Sequence, residues 1–185
     1  MRDPLSHEQR GGSFGGPSRR SNGARRQVAV IGAGGAAEGS ETWLLAEEVG
    51  RRLAEAGVII VCGGGNGVMA AVSRGTASAG GEVIGVLPGS DVDGGNPDLT
   101  HVVATGIGHA RNLAVVGSGE VVIAIGGEWG TLSEIGHARS IGRTVVALRS
   151  WSLTGRDRME GAPGVTPAET AEEAVAAALA ELASD

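Results

Sequence analysis

The apolar positions of this chain fall into short unbroken runs, most of them ending in glycine or proline. Gln27–Ile31 (QVAVI), Val58–Cys62 (VIIVC), Glu82–Leu87 (EVIGVL), Glu120–Ile125 (EVVIAI) and Thr144–Leu148 (TVVAL) are the clearest. Runs of this length without alternation predict strands covered on both faces. A shorter strand is predicted over Leu99–Ala104. Between the strands the apolar residues change to helical spacing. Leu44, Leu45, Val49 and Leu53 form one such stripe, with Ser40 as the cap before it and Gly57 closing it after Ala56. Further helices are predicted over about Val68–Ala79, over Gly108–Gly117, and from the turn after Ile125 to Ile141. Thr144–Leu148 reads as the last strand. Thr166-Pro167-Ala168-Glu169 has the form of a capping box with proline at the first helical position, opening an Ala-rich helix to about Leu182. Pro88–Pro97 and residues 150–165 read as turn-rich loops.

Strands alternating with helices predict an α/β fold with a doubly wound, mostly parallel, Rossmann-like sheet in a single domain over residues 27–185. Ligands of such sheets bind beyond the carboxyl ends of the strands. The glycine clusters of this chain lie there, so positions far apart in sequence are predicted to converge.

Charge divides the 185 residues unevenly. Met1–Arg26 is rich in Gly, Ser and Arg and has almost nothing to bury; six Arg against Asp3 and Glu8 leave it about +4. It reads as a disordered basic tail, a solvated extension in preference to an RNA or lipid contact. The rest has nine Arg against nineteen acids, about −10. An acidic body predicts no grip on nucleic acid. No stretch approaches the roughly 18 uninterrupted apolar residues of a membrane span, and the tail lacks the apolar run of a secretory signal. With Cys62 as the one cysteine, no internal disulfide can form, and a cytoplasmic protein is expected.

One absence narrows the chemistry. The chain contains no lysine. A pyridoxal-phosphate enzyme needs a lysine for its Schiff base and a P-loop needs Gly-Lys-Ser/Thr, so both are excluded. Phosphate contacts must come from arginine, hydroxyls or backbone N–H groups. The histidines and Cys62 show no metal-ligand spacing, so no metal site is expected.

Three glycine turns remain as candidates. Gly32-x-Gly34-x-x-Ala37 matches a dinucleotide fingerprint, but the second strand ends in Cys62 and glycines where a ribose-binding acid would stand, so it reads as a turn leaving room for a ligand held elsewhere. Gly63-Gly64-Gly65-Asn66-Gly67-Val68-Met69 lets backbone N–H groups approach an anion with no Cβ in the way. Ile125-Gly126-Gly127-Glu128-Trp129-Gly130-Thr131 joins a strand end to a helix start, where free N–H groups and the helix dipole favour phosphate. Thr131-Leu132-Ser133-Glu134 also has capping-box spacing, so Glu134 has two readings: a helix cap, or a functional carboxylate at an anion site. Arg111 is the candidate cation for that site.

The ordered set Gly63–Met69, Gly85-Val86-Leu87-Pro88, Arg111 and Gly126-Gly127-x-x-Gly130-Thr131-x-x-Glu134 resembles the LOG (Lonely Guy) family, long labelled "possible lysine decarboxylase". The resemblance covers roughly Gln27–Leu182. It implies a Rossmann-like subunit in a homodimer or homotetramer, and nucleoside 5′-monophosphate phosphoribohydrolase activity: hydrolysis of an N-glycosidic bond to free base and ribose 5-phosphate. It implies that Arg111 and Glu134 are catalytic. Nucleotide binding falls to Gly34, Gly63, Gly64, Gly65, Asn66, Met69, Gly126, Gly127, Gly130 and Thr131, and no cofactor is required. The chain departs from the pattern at Ile125, where the family has proline, and at the acidic Glu128, and its first glycine loop is one residue short. These departures resemble a side branch similar to the molybdenum-cofactor carrier proteins. That branch implies a second ligand, the phosphate-bearing molybdopterin, beside an AMP-like nucleotide.

Overall fold

The computed structural model describes residues 26–153 and 161–184. Residues 1–25, 154–160 and 185 lie outside the described set, so the expectations for the basic tail up to residue 25 and for the middle of the loop after Ser150 fall outside it too.

Seven strands form one parallel sheet. In chain order they are β1 (Gln27–Gly32), β2 (Ile59–Cys62), β3 (Val83–Leu87), β4 (His101–Ala104), β5 (Val121–Ile125), β6 (Thr144–Leu148) and β7 (Val165–Ala168). The spatial order is β4-β3-β2-β1-β5-β6-β7. The chain therefore builds outward from β1 on one side, returns, and builds outward from β5 on the other. β1 and β5 pair in parallel, with Val28 opposite Val121 and Gly32 opposite Ile125. This is the switch point at which sheets of this kind open a crevice.

The apolar runs explain the layering. Alternate residues of each central strand face opposite sides of the sheet. Val28, Val30, Ile60, Ile123 and Ile125 pack on one side with α1 (Glu41–Glu55), α2 (Val68–Ser78) and α5 (Ala171–Ser184). Ala29, Ile31, Val61, Val122 and Ala124 pack on the other with α3 (Arg111–Ser118) and α4 (Trp129–Ser140). Ser40 caps α1, its side chain accepting from the Trp43 N–H at 3.3 Å.

Three expectations are corrected. Thr144–Leu148 is not the last strand, because Val165–Ala168 pairs in parallel with β6. Pro167 is tolerated there because β7 is an edge strand, where one side of the ladder needs no N–H. The last helix consequently starts at Ala171, and its capping box is Thr170 with Glu173. The Glu173 N–H donates to Thr170 Oγ1 at 3.2 Å, and the Thr170 N–H donates to Glu173 Oε2 at 3.4 Å. Two T-x-x-E sequences follow one another here, Thr166–Glu169 and Thr170–Glu173; the first is drawn into the sheet, so the second caps. Finally, Gly108–Ala110 is a 3-10 turn and the α-helix proper begins at Arg111, which places that residue at a helix start instead of mid-helix.

Candidate functional site

β5 ends at Ile125 and the chain turns through Gly126 (φ 55°) and Gly127 (φ 114°), both in the left-handed region. A Cβ on Gly127 would sit 2.5 Å from that of Thr131, so the turn folds directly over the helix that follows. Glu128 is the N-cap of α4 without making a side-chain cap bond. The N–H groups of Trp129, Gly130 and Thr131 thus occupy the first turn, where a helix supplies no carbonyl partner and the dipole favours an anion. Trp151 pins this turn from outside. Its Nε1–H donates to the Glu128 carbonyl at 3.2 Å, and its ring lies 5.1 Å from that of Trp129 at a 41° tilt.

The capping-box reading of Glu134 fails on this geometry. Thr131 lies inside α4 and Glu134 a further turn along, so neither terminates the helix. Glu134 instead lines a cleft of about 170 Å³ with Gly34, Gly63, Met69, His109, Arg111, Asn112, Glu128, Gly130 and Thr131. Burial pushes its carboxyl up to about 7, and the charge of Arg111 pulls the other way. Burial lowers the Arg111 pKa in turn, opposed by Glu134 and more weakly by Cys62. The two residues sense each other across the cleft without forming a close ion pair. Two buried polar atoms of the same wall, Arg111 Nε and Asn112 Oδ1, have no hydrogen-bond partner among the described residues.

The second glycine turn holds this arrangement in place. A Cβ on Gly63 would fall 2.6 Å from both Arg111 Nη2 and Met69 Sδ. Gly67 (φ 62°) presses against the first glycine turn: its Cβ would meet the Ala33 carbonyl oxygen at 2.3 Å, and the next N–H, of Val68, donates to that oxygen at 3.0 Å. Asn96 ties the turn down from the Pro88–Pro97 loop, its Nδ2 donating to the carbonyls of Gly64 at 3.2 Å and Gly65 at 3.1 Å.

Of the residues expected at the site, Gly34, Gly63, Met69, Arg111, Gly130, Thr131 and Glu134 share the cleft. Gly64, Gly65 and Asn66 do not line it. Gly64 is buried against Leu87, and Asn66 is exposed. Gly126 and Gly127 shape the turn but face a neighbouring cavity of about 390 Å³ with Arg149, Ser150, Trp151 and Ser152. Sequence reasoning missed Asn112, His109 and Asn96. Asn112 adjoins Arg111 in sequence, which was a usable signal; Asn96, in a polar loop, offered none. Cys62 is buried, with its thiol pKa raised by burial, which makes it inert as a nucleophile. Among the described residues no cluster of three His, Cys, Asp or Glu could hold a metal, and no helix is long and apolar enough to cross a membrane.

Comparison with known proteins adds family and fold. The SLOG cluster4 family matches residues 25–177. An uncharacterized protein of Archaeoglobus fulgidus is 41% identical over 124 residues, 66% of this chain and 80% of its own. A probable cytokinin riboside 5′-monophosphate phosphoribohydrolase of Oryza sativa subsp. japonica is 32% identical over 113 residues, 60% of this chain; the match spans only 46% of the rice protein. The molybdenum cofactor binding protein of Rippkaea orientalis superposes with a TM-score of 0.76 at 28% identity, covering 87% of this chain and 99% of that one. The molybdenum cofactor carrier protein of Chlamydomonas reinhardtii gives 0.73 at 29% identity, covering 86% and 99%.

One expectation is overturned here. Nucleic acid was excluded as a partner because the folded body is acidic. DNA processing protein A of Helicobacter pylori, solved for its single-stranded DNA binding mode, has the same fold (TM-score 0.60, 17% identity, 84% of this chain and 81% of that one). That likeness concerns the fold alone, and it removes the exclusion: net charge speaks to association, and this fold does serve a protein that binds single-stranded DNA.

Proposed function

Since the chain belongs to the SLOG cluster4 family, within the LOG-like superfamily, we propose that its cleft binds a phosphate-bearing nucleotide and hydrolyses the N-glycosidic bond of a nucleoside 5′-monophosphate. The observation that carries this reading is the pairing of Arg111 with Glu134 across one cleft, with Glu134 in the interior of α4, capping nothing and ionising at about 7. A carboxyl kept near neutrality in a cleft matches the requirement for acid–base work at physiological pH better than it matches any structural need.

The phosphate sits on the N–H groups of Gly130 and Thr131 at the start of α4, and Arg111 orients the nucleotide from the opposite wall. Glu134, once ionised, takes a proton from the attacking water and faces the positive charge that develops on the ribose as the bond to the base lengthens. The leaving base departs with the bonding electron pair and is protonated; water supplies the hydroxyl of ribose 5-phosphate. The test is chromatographic detection of adenine released from AMP. Glu134→Gln is expected to lower the rate by about 10²–10⁴-fold; equal slow release by both proteins would sink the enzymatic reading.

A second reading is favoured by a specific observation, the likeness to proteins described as molybdenum-cofactor binding and carrier proteins over almost their whole length. In this reading the same cleft holds molybdopterin as cargo, its phosphate on the same N–H groups, without chemistry. Mass spectrometry of ligand retained on gently purified protein separates the two: a pterin supports the carrier, a nucleotide the hydrolase.

A further inference from the structure

The turn that opens α4 is held from the side away from the cleft. Past β6, Arg149 stands at φ 43°, in the left-handed region that residues with a side chain rarely adopt. Its N–H still serves β7, donating to the Ala168 carbonyl at 3.0 Å, and the next side chain turns back toward β5. The half-buried Ser150 hydroxyl donates to the Gly126 carbonyl. The Gly126 N–H points the same way, donating to the Leu148 carbonyl at 3.0 Å, whereas the Ile125 carbonyl before it accepts from the Ala33 N–H on the β1 side. In a trans peptide the C=O and the N–H point in opposite directions. A Gly126 carbonyl drawn toward Ser150 therefore sends the Gly127 N–H toward β1, the side on which the cleft opens. That N–H has no hydrogen-bond partner among the described residues.

We infer that Ser150 is a positioning residue: it fixes the Gly126–Gly127 peptide with its N–H toward the cleft, and so adds a donor to the anion site of Gly130 and Thr131. The inference rests on the anion site proposed above, whether the ligand is a nucleotide or a molybdopterin. This peptide is the one in the turn with glycine on both sides. No Cβ resists its rotation, and glycine accepts the dihedral angles of either orientation. A rotated peptide would present its carbonyl oxygen to the anion and repel it. One hydroxyl thus decides whether this part of the turn attracts or repels a phosphate. Stability has little stake in the choice, because Gly126 borders the open cavity of Arg149, Ser150 and Trp151, where water can replace the lost hydroxyl.

The test is a titration of the full chain with inorganic phosphate, read at the backbone amide resonances of Gly127 and Gly130 in wild type, Ser150→Ala and Ser150→Thr. Both wild-type amides are expected to shift with phosphate. In Ser150→Ala the Gly130 response is expected to survive at about tenfold weaker affinity, the size of one lost charge-assisted hydrogen bond, while the Gly127 response disappears. The surviving Gly130 response also reports that the variant is folded. Ser150→Thr keeps a hydroxyl and should restore both responses. A wild-type Gly127 amide that ignores phosphate while Gly130 responds overturns the inference and leaves the anion site standing. Equal responses in wild type and Ser150→Ala overturn it too, as does an alanine variant that loses both responses together with a large fall in Tm, since Ser150 then holds the fold and not one peptide. If neither wild-type amide responds to phosphate, the anion site itself falls, and the inference with it.

Discussion

A Cβ on Gly63 would lie 2.6 Å from Arg111 Nη2 and 2.8 Å from Nη1: the guanidinium occupies the volume that any larger residue at position 63 would fill. Gly63 belongs to the turn after β2 and Arg111 to the start of α3, so the glycine turn acts on the cleft by making room for its cation.

Gly63→Ala is therefore expected to damage ligand binding more than stability. The obstructed group is the end of a flexible side chain, which can swing aside at little cost to the fold. Arg111 then leaves its place, and the loss of a charge-assisted contact weakens phosphate-ligand affinity by about tenfold or more. Calorimetric titration with AMP beside a thermal melt checks this; a large fall in Tm with unchanged affinity contradicts it.

Glu134→Gln is expected to stabilise the protein at alkaline pH. Burial raises this carboxyl from 4.5 to about 7 in the folded chain, so the folded state holds a proton that the unfolded state has released between those values. Stability from this group is complete below about pH 4.5 and is lost as pH rises through about 7. Glutamine mimics the protonated acid. Wild type and variant should match near pH 4.5 and diverge to about 1–2 kcal/mol in favour of the variant at pH 8, allowing for the solvent that reaches this half-buried group. Denaturant unfolding at both pH values decides it. A variant less stable at pH 8 would restore the capping role.

Asn96→Ala is expected to loosen the second glycine turn, since one amide group serves the carbonyls of both Gly64 and Gly65. The Gly64 carbonyl keeps the Asn96 main-chain N–H at 2.9 Å, but leaving the Gly65 carbonyl without its partner should cost about 1–3 kcal/mol. Urea unfolding measures the loss, and AMP affinity should fall with it because Gly63 adjoins the loosened segment.

Thr170→Val and Thr166→Val distinguish the two consecutive T-x-x-E sequences. Thr170 caps α5 and its loss should cost about 1 kcal/mol. Thr166 is an exposed position of β7, where valine suits a strand, and the expected change is within about 0.5 kcal/mol. Thermal melts of both variants settle which threonine caps.

The central strands were legible because each is an apolar run closed by a breaker, and burial on both faces leaves no other use for such a run. β7 was not. Val165–Ala168 is four residues long, holds a proline, and lies half exposed at the sheet edge, so its hydropathy says nothing, while its threonine and glutamate imitate a helix start. At the site, Arg111 stood out as a positioned cation in a lysine-free chain and Glu134 as a carboxylate just after a glycine turn, and both line the cleft. The choice between cap and cleft for Glu134 was not legible, because it depends on where α4 begins, and the left-handed Gly126 and Gly127 set that start at Trp129. Asn66, expected at the site, is exposed and does not line the cleft: a polar residue in a glycine turn can face the ligand or the solvent, and only the path of the turn decides.

The pairing of β1 with β5 has a consequence for when the cleft comes into being. The Gln27 N–H meets the Glu120 carboxylate across 93 positions of sequence, at the foot of the two strands whose far ends carry the cleft. β1 to β4 can assemble one after another from neighbours in the chain, but no cleft exists until β5 closes that long loop. Closure of this kind is entropically costly and slow compared with local pairing. Any ligand of the cleft would then discriminate between the closed sheet and every half-built one. Its binding energy falls on the last long-range step of assembly, and ligand protects the whole domain against unfolding instead of stiffening one turn.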